Sequence, residues 1–223
     1  MRTIRVTGKG LLKVHPDMTR ITVTLEGKYP DYGEMLKHSS EDTEALKDLV
    51  VPFGFERTDV KTLSFNVDTK YERYEEKRQG RTEYKRRFDG YEYTHVLKVE
   101  FESDNERLGK ILYALAHCGL NPELRLSYTV KDPEAVKNEL LGKAVQDAVA
   151  KAGVLGSAAG LKLGAIQSVD YSWGRIDFEI SAAESLPTGS SDMYCMKECS
   201  LDLDIEPDDI EVQDTVTVVW EIG

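Results

Sequence analysis

The first residues that could do chemistry are two glycines one position apart, in the stretch GKGLLKVHPDM at residues 8–18. Glycine-rich turns bind phosphates when they lead into a helix whose first N–H groups face the ligand. Here Gly8 and Gly10 are followed by Leu-Leu-Lys-Val, and polar and apolar residues resume strict alternation at once. The stretch has neither the third glycine of a dinucleotide site nor the Lys-Ser/Thr pair of a Walker-type loop. We therefore predict that both glycines lie in a strand, where a missing side chain lets the strand bend or another element approach.

A second candidate is segment 69–90, TKYERYEEKRQGRTEYKRRFDG, which we call the contact arm and predict to be a long β-hairpin. It carries a net charge of +3 in a chain of −11, which leaves −14 on the remainder. Tyrosine and arginine are favoured anchors at protein interfaces, although they can also stack on nucleic-acid bases. The acidic remainder would repel a phosphate backbone, so a protein contact is favoured and nucleic acid is disfavoured. The residues assigned to this contact are Tyr71, Arg73, Tyr74, Arg78, Tyr84, Arg86, Arg87 and Phe88.

Two clusters contain side chains that can bind metal ions. The sulfur cluster suits copper(I), but no nearby histidine completes a zinc site. The acidic cluster has calcium-type ligands but lacks the glycine that allows a calcium loop to turn sharply. We expect no metal and no cofactor, and the role of Cys195 and Cys199 is left open. The members are Met193, Cys195, Met196 and Cys199 in the first, and Asp202, Asp204, Glu206, Asp208, Asp209 and Glu211 in the second.

The histidines and thiols form no recognisable catalytic set. His95 shares its strand parity with Tyr93 and Leu97, which predicts a hydrogen-bonded core residue and not a ligand. His117 and Cys118 are neighbours on a predicted helix, and neighbouring helical side chains point apart. The sequence also lacks the Gly-x-Ser-x-Gly and His-Glu-x-x-His patterns. We therefore expect a non-enzymatic protein, while a triad assembled from distant positions stays open.

Composition places the chain among folded proteins of soluble type. Its 223 residues are 40% hydrophobic and 31% charged, enough to bury a core. No apolar run approaches the roughly 20 residues that span a bilayer, so no membrane span is expected. Three cysteines do not suggest a disulfide scaffold. Because the first residues show no apolar signal-peptide core, the expected location is cytoplasmic.

Hydrophobic periodicity predicts the order β-β-α-β-β-α-β-α-β-β. The paired strands favour an α+β fold with largely antiparallel sheets packed against about three helices. Capping residues predict helix starts at Asp31, Ser103 and Asp132. Apolar residues at every fourth position behind Asp132 predict the longest helix, and regular alternation from 210 to 222 predicts the last strand.

Four stretches together resemble the SIMPL domain family of bacterial proteins. They are IRVTGKGLLKVHPDMTRITVTLEG, GYEYTHVLKVEF, LLGKAVQDAVAKAGVLGSAAGLKLGAIQSV and IEPDDIEVQDTVTVVWEI, and they span almost the whole chain. The resemblance implies an α+β fold and a tendency to form oligomers, with no agreed active site to transfer. Many relatives are periplasmic or envelope-associated and are linked to stress responses. This chain has Pro207-Asp208 where the family pattern usually has Pro-Gly.

These observations predict one domain over residues 1–223, with sub-lobes 1–120 and 121–223 as an open alternative. The predicted function is self-association into a homo-oligomer and action through protein contacts, with a further protein partner left open. The alternative is a small-molecule-binding protein with a pocket between sheet and helices. A hydrolase or a nucleic-acid binder comes third.

Overall fold

The computed structural model describes residues 2–78, 81–171, 176–181 and 205–223. Within these residues, two sheets pack with helices, as the α+β prediction requires. Two short 3-10 turns follow the first helix, at Val51–Phe53 and Arg57–Asp59. In chain order the elements are β1 Thr3–Val14, β2 Met18–Tyr29, α1 Tyr32–Val50, β3 Lys61–Arg78, β4 Arg81–Glu102, α2 Asn105–Ala116, β5 Glu123–Thr129, α3 Pro133–Ala159, β6 Leu163–Tyr171, β7 Ile180–Ser181 and β8 Ile210–Ile222.

The strands form one three-stranded sheet and one five-stranded sheet. The first has the order β1-β8-β6, so the first and last strands of the chain are neighbours. The second has the order β3-β4-β2-β5-β7. The pairs β1–β8, β6–β8 and β3–β4 are all antiparallel. The predicted α+β class is confirmed.

The chain divides into two compact units, each built from separated segments. Unit 1 comprises Met1–Met18, Tyr128–Ile180 and Pro207–Gly223, and unit 2 comprises Thr19–Ser127 and Ser181–Glu206. The assignment of one domain over 1–223, with sub-lobes at 1–120 and 121–223, stays a prediction. Among the described residues, no helix has both the length and the apolar character needed to cross a bilayer.

Helix α3 packs against β1 and β8 to form the core of unit 1. The every-fourth-residue row on α3 is buried from Leu140 to Ala152, as the sequence predicted, because small side chains let the helix lie close to the sheet. Val136, at the start of the row, is partly buried. Gly8 and Gly10 face this row, which confirms that they belong to a strand. The core residues are Val6, Ala144, Ala148, Ala152, Val216, Val218 and Trp220.

In unit 2, α1 packs on β4, and Met35, Leu46 and Val50 of α1 are buried. Asp31 is the N-cap of α1, and its carboxylate accepts hydrogen bonds from the N–H groups of residues 33 and 34. The Ser103 cap predicted for α2 is wrong. Asp104 is the N-cap, and its carboxylate accepts from the Arg107 N–H, so the helix begins one residue later.

Strand β6 departs from regular alternation at one position. Alternation of apolar residues predicts Leu163, Ala165 and Val169 on one face, and Leu163 and Val169 do share a face, opposite Ile222 and Val218. Between them the β6–β8 register shifts twice, between Leu163 and Ile166 and between Ile166 and Ser168. Ile166 then lies opposite Trp220, so it takes the face expected for Ala165. An irregularity of this kind changes strand parity without changing composition, which explains why alternation alone missed it.

Candidate functional site

The contact arm is the outer part of the β3–β4 hairpin, and the predicted hairpin is confirmed. The two strands pair continuously from Tyr71 opposite Phe88 out to Arg78 opposite Arg81. The turn of the predicted hairpin, expected near residues 79–80, lies outside the described residues. Among the described strands β3 ends the sheet order, with β4 as its neighbour. The contact arm is therefore an extension of two sheet strands and not a separate loop.

A register shift marks the base of the contact arm. Lys70 pairs with Gly90 while Tyr71 pairs with Phe88, so Asp89 is an extra residue on β4. Gly90 has φ +118°, and a Cβ there would lie 2.5 Å from the Tyr29 carbonyl oxygen. Both the backbone angle and the close approach require glycine. Bulges bend and twist a strand, so this one sets the direction in which the contact arm leaves the sheet.

Ion pairs hold the base of the contact arm in place. The Asp89 carboxylate pairs with the Lys28 ammonium of β2, and Lys70 pairs with Glu92 across the hairpin. The hydrogen bond to Glu92, followed by its charge, raises the pKa of Lys70 above its ordinary value. Lys70 therefore carries a full positive charge at neutral pH.

Opposite residues in an antiparallel pair project on the same face. Tyr71 lies opposite Phe88, Arg73 opposite Arg86, and residue 75 opposite Tyr84. Five of the eight predicted contact residues therefore share one side of the hairpin. We call this set, Tyr71, Arg73, Tyr84, Arg86 and Phe88, the aromatic–arginine face.

The aromatic–arginine face is ordered by ring contacts and is open to solvent. The rings of Tyr71 and Phe88 meet edge-to-face with centroids 6.2 Å apart. The Arg86 guanidinium carbon lies 5.2 Å from the Tyr71 ring centroid, a cation–π distance. Tyr71 is 52% exposed and Tyr84 is 73% exposed. Adjacent exposed aromatic side chains of this kind are typical of binding surfaces.

The other three predicted contact residues do not join this face. Tyr74 and Arg87 lie on the opposite face of the hairpin, where the Arg87 guanidinium bonds the Glu72 carboxylate at 2.9 Å. Both partners of that pair are largely exposed, so it adds little to stability. The side chain of Arg78 lies outside the described residues.

Two tyrosines outside the predicted set continue the row of rings. Phe88 contacts Tyr91 at a centroid distance of 5.2 Å, and Tyr91 contacts Tyr32 of α1 at 5.3 Å. Tyr32 is about half exposed. The parity of β4 could have indicated Tyr91 once the bulge was known, but nothing in the local sequence links Tyr32 to the contact arm.

His95 is a buried, hydrogen-bonded residue, as the sequence predicted. Its Nδ1 lies 3.0 Å from the Thr43 hydroxyl oxygen, and its Nε2 lies 3.0 Å from that of Thr62. Because the Thr43 hydroxyl already donates to the Ser39 carbonyl, it accepts from Nδ1–H, which leaves Nε2 to accept from Thr62. This arrangement holds a neutral imidazole and offers no free ligand.

The remaining candidates form no site in the described part of the chain. His117 Nδ1 bonds the Tyr113 carbonyl at 2.7 Å and the Cys118 thiol donates to the Leu115 carbonyl, so the two side chains are not paired. No three His, Cys, Asp or Glu side chains converge there on a common point. Met193, Cys195, Met196, Cys199, Asp202 and Asp204 lie outside the described residues.

Two curated relatives are similar to most of this chain. Both carry the name 26 kDa periplasmic immunogenic protein, one from Brucella melitensis biotype 1 and the other from Brucella abortus strain S19. They are 28% and 27% identical to the chain over 166 residues. The match covers 74% of this chain and 65% of each relative, so it leaves about a third of each relative's length outside.

The names of these relatives contradict the expected cytoplasmic location. Both relatives are named as periplasmic proteins. The expectation relied on the first residues of the chain, but a targeting segment is present there only until it is removed. The missing apolar core is therefore no evidence for the cytoplasm, and the cytoplasmic expectation is wrong.

The resemblance noted in the sequence extends over nearly its full length. Residues 4–220 match the SIMPL family, whose description is a protein of unknown function (DUF541). This range runs from the start of β1 to within two residues of the end of β8 and includes the contact arm. The chain therefore belongs to the SIMPL family.

Proposed function

We propose that this chain is a non-enzymatic periplasmic protein that associates with further copies of itself through the contact arm. The observation that carries the proposal is the aromatic–arginine face, where Tyr71, Phe88 and Tyr84 stand exposed beside two arginines. Tyrosine and arginine are the side chains that most often anchor interfaces, since each combines a large contact area with polar groups. A stress- or envelope-related role belongs to this proposal and rests on the family resemblance.

Charge supports association between identical chains. The contact arm carries +3 and the remainder −14, so the arm of one copy is attracted to most of the surface of another. Such complementarity speeds encounter and orients the partners, while the aromatic side chains supply the apolar area that stabilises the complex. High salt should therefore slow assembly more than it weakens the assembled state.

The test compares a triple serine variant of the aromatic–arginine face with a double serine variant of the opposite face. Tyr71→Ser, Tyr84→Ser and Phe88→Ser together remove the rings from the aromatic–arginine face, while Tyr74→Ser with Arg87→Ser alters the opposite face. Light scattering after gel filtration measures the mass, and circular dichroism checks the fold. We expect the first variant to lose mass and the second to keep it. An unchanged mass in the first variant would contradict the proposal.

The proposed location is supported by the names of the two Brucella relatives. In the source cell, osmotic shock should release the protein with known periplasmic markers. Retention with cytoplasmic markers would contradict this part of the proposal and would not affect the part concerning the contact arm.

A groove in unit 1 favours the second candidate function, small-molecule binding. It has a volume of about 410 Å³ and is lined by Val6, Ala150, Lys151, Val154 and Leu155. A mainly apolar groove of this size with one cationic group suits a small amphiphile. Native mass spectrometry of protein purified from its source would show such a ligand as a retained mass. The variant Val154→Arg should lose that mass.

A further inference from the structure

Strand β3 has a long edge that no other described strand covers. In the part of the chain that the structure describes, β3 pairs with β4 and ends the five-stranded order over its 18 residues. Along this edge Leu63 is 53% exposed, Phe65 is 40% exposed and Tyr71 is 52% exposed. An edge strand presents unpaired N–H and C=O groups, which are a template for pairing with another strand.

The edge of β1 in unit 1 provides a contrast. The Lys9 N–H donates to the Asp147 carboxylate of α3 at 2.7 Å, so a helix side chain occupies that edge. Among the described residues, no helix side chain makes a corresponding hydrogen bond to a backbone group of β3. Phe65, Val67, Thr69 and Tyr71 alternate on one side of β3, and aromatic and β-branched residues of this kind favour strand pairing.

We propose that β3 pairs antiparallel with β3 of a second copy. The two-fold axis passes midway between the two copies of Thr69. The two five-stranded sheets then join edge to edge. This inference rests on the proposed function, because it names one contact through which the copies associate. It is carried by the backbone edge of β3, and of the aromatic–arginine face it uses only Tyr71 and Arg73, the two members that lie on β3.

Symmetry restricts the register of such a pair. A two-fold axis perpendicular to the sheet reverses strand direction and keeps each side chain on its own face, so one residue must lie opposite its own copy. Like charges directly opposite each other destabilise a sheet. Asp68, Lys70 and Glu72 are therefore excluded as the central residue.

A register centred on Thr69 places side chains of complementary charge and polarity opposite each other in the two copies. Asp68 lies opposite Lys70 of the second copy, and the symmetry repeats this pair. Val67 lies opposite Tyr71 in the same way, which buries apolar surface on both copies. Phe65 lies opposite Arg73, where a guanidinium can rest on the ring. Thr69 meets its own copy, and paired threonines can hydrogen-bond.

The neighbouring uncharged centres fit less well. Centring on Tyr71 pairs Lys70 with Glu72 but places Val67 against Glu75, an apolar residue against a carboxylate. Centring on Val67 places Asp68 against Asn66 and pairs no opposite charges. The Thr69 register combines reciprocal ion pairs with reciprocal apolar pairs, and the charge complementarity identifies the occupant as a second copy of this chain.

The test is site-directed cross-linking in a background with Cys118, Cys195 and Cys199 changed to serine. Thr69→Cys should form a disulfide-linked dimer under mild oxidation, because residues facing their own copy have Cβ atoms about 5 Å apart. The matched control is Asn66→Cys, also exposed and on β3. In the proposed register the two copies of residue 66 lie about 20 Å apart along the strands, so its dimer yield should be at least tenfold lower.

Charge reversal supplies a second measurement that needs no added cysteine. Asp68→Lys places like charges opposite Lys70 twice in the dimer and should weaken association by about tenfold or more. Glu72→Lys, which lies on the opposite face of the hairpin and faces the uncharged Asn66 of the second copy in this register, should change it little. Equal effects of the two substitutions would overturn the register.

The outcomes separate this inference from the proposed function. If Thr69→Cys stays uncross-linked, or cross-links no better than Asn66→Cys, while the variant of the aromatic–arginine face still loses mass, the β3 pairing is wrong and the proposed function stands. If cross-linking is specific to Thr69→Cys but that variant keeps its mass, the edge pairing stands and the role of the aromatic–arginine face is wrong. A monomer in every variant and in the unaltered chain overturns both.

Discussion

Gly8 of β1 lies so close to Ala144 of α3 that a Cβ on Gly8 would come within 2.0 Å of the Ala144 carbonyl oxygen. The same atom would lie 2.4 Å from the Ala148 backbone nitrogen. Backbone atoms cannot move aside as the end of a flexible side chain can. The glycine therefore sets how closely the long helix approaches the sheet, and it binds no phosphate.

Gly8→Ala should destabilise unit 1 by about 1–3 kcal/mol or more, because the added methyl group forces the helix away from the sheet. Trp220 lies in this core, so its fluorescence during urea unfolding reports the change. The second tryptophan, Trp173, is changed to phenylalanine in all samples. Loss of the native signal at zero urea would be the extreme form of the expected result.

Gly142→Ala is the matched control for that substitution. A Cβ at this exposed position of α3 meets nothing within 4 Å. Alanine is favoured over glycine inside a helix, so this change should stabilise unit 1 by about 0.5–1 kcal/mol. If Gly8→Ala and Gly142→Ala shift the midpoint in the same direction, the close-packing argument fails.

His95 should make unit 2 less stable in mild acid. Burial, with a smaller contribution from the Lys47 ammonium, lowers the pKa of His95 below its ordinary value of 6.5. Below pH 6.5, His95 therefore binds a proton more readily in the unfolded chain than in the folded chain. Stability should fall as the pH drops below about 6.5, until the folded imidazole is itself protonated.

The control for this prediction is His95→Gln, which keeps a donor and an acceptor but cannot titrate near neutral pH. Its unfolding free energy should depend less on pH between 7.5 and 5.5 than that of the unaltered chain. The other histidines are present in both proteins, so their contributions cancel. Identical slopes would mean that His95 does not titrate differently in the folded state.

Tyr93→Phe should destabilise unit 2 by about 1–3 kcal/mol, because it leaves the Asp42 carboxylate without its buried donor. The Tyr93 hydroxyl donates to Asp42 of α1, and the ring is fully buried. Tyr74→Phe, on the exposed opposite face of the contact arm, should change stability by less than about 0.5 kcal/mol. Urea unfolding followed by circular dichroism measures both.

The hydrogen-bonded pair Tyr93–Asp42 predicts that unit 2 loses stability at alkaline pH. Burial first, and then the hydrogen bond to Asp42, raise the pKa of Tyr93 well above its ordinary value of 10.0. The unfolded tyrosine loses its proton near pH 10 while the folded one keeps it, so this contribution is complete below pH 10 and decreases above it. The decrease should be smaller in Tyr93→Phe, because burial also raises the pKa values of Tyr29 and Tyr128, which both proteins keep. An equal decrease in both proteins would assign it to other groups.

Gly90→Ala should disturb the base of the contact arm more than Gly119→Ala disturbs the end of α2. Both glycines have positive φ, +118° and +73°, but only at Gly90 does a Cβ meet a backbone atom, the Tyr29 carbonyl oxygen at 2.5 Å. Strain at such angles costs about 1–3 kcal/mol, and the clash at Gly90 adds to it. Thermal unfolding compares the two, and an equal cost would show that the contact with Tyr29 relaxes freely.

Local patterns were sufficient to predict most of the elements. The alternation in β1 and β8 and the every-fourth-residue row on α3 appear in the structure as predicted, since one face of each element must be buried. The predictions failed where two local choices were nearly equal. Ser103 and Asp104 are both good N-caps, and the choice between them depends on where β4 ends.

Register shifts within a strand could not be predicted from the sequence either. The irregularity in β6 exchanges Ala165 for Ile166, and the bulge at Asp89 changes the parity between the contact arm and the rest of β4. Such an extra residue leaves composition unaltered while it shifts the parity of the residues beyond it until a second irregularity restores it. The sequence therefore predicted the segment of the contact arm but not that Tyr91 continues its aromatic–arginine face.

The sequence by itself determined most of the secondary-structure elements, the α+β class and the family, because each depends on local periodicity or on ordered motifs along the chain. Only the tertiary structure decided which strands are neighbours, that Gly8 faces Ala144, that Tyr71 meets Phe88, and that β3 ends the order of the described strands in its sheet. These relations join residues far apart in the chain. They follow from the packing of whole elements, where the burial of one face limits every partner that face can have.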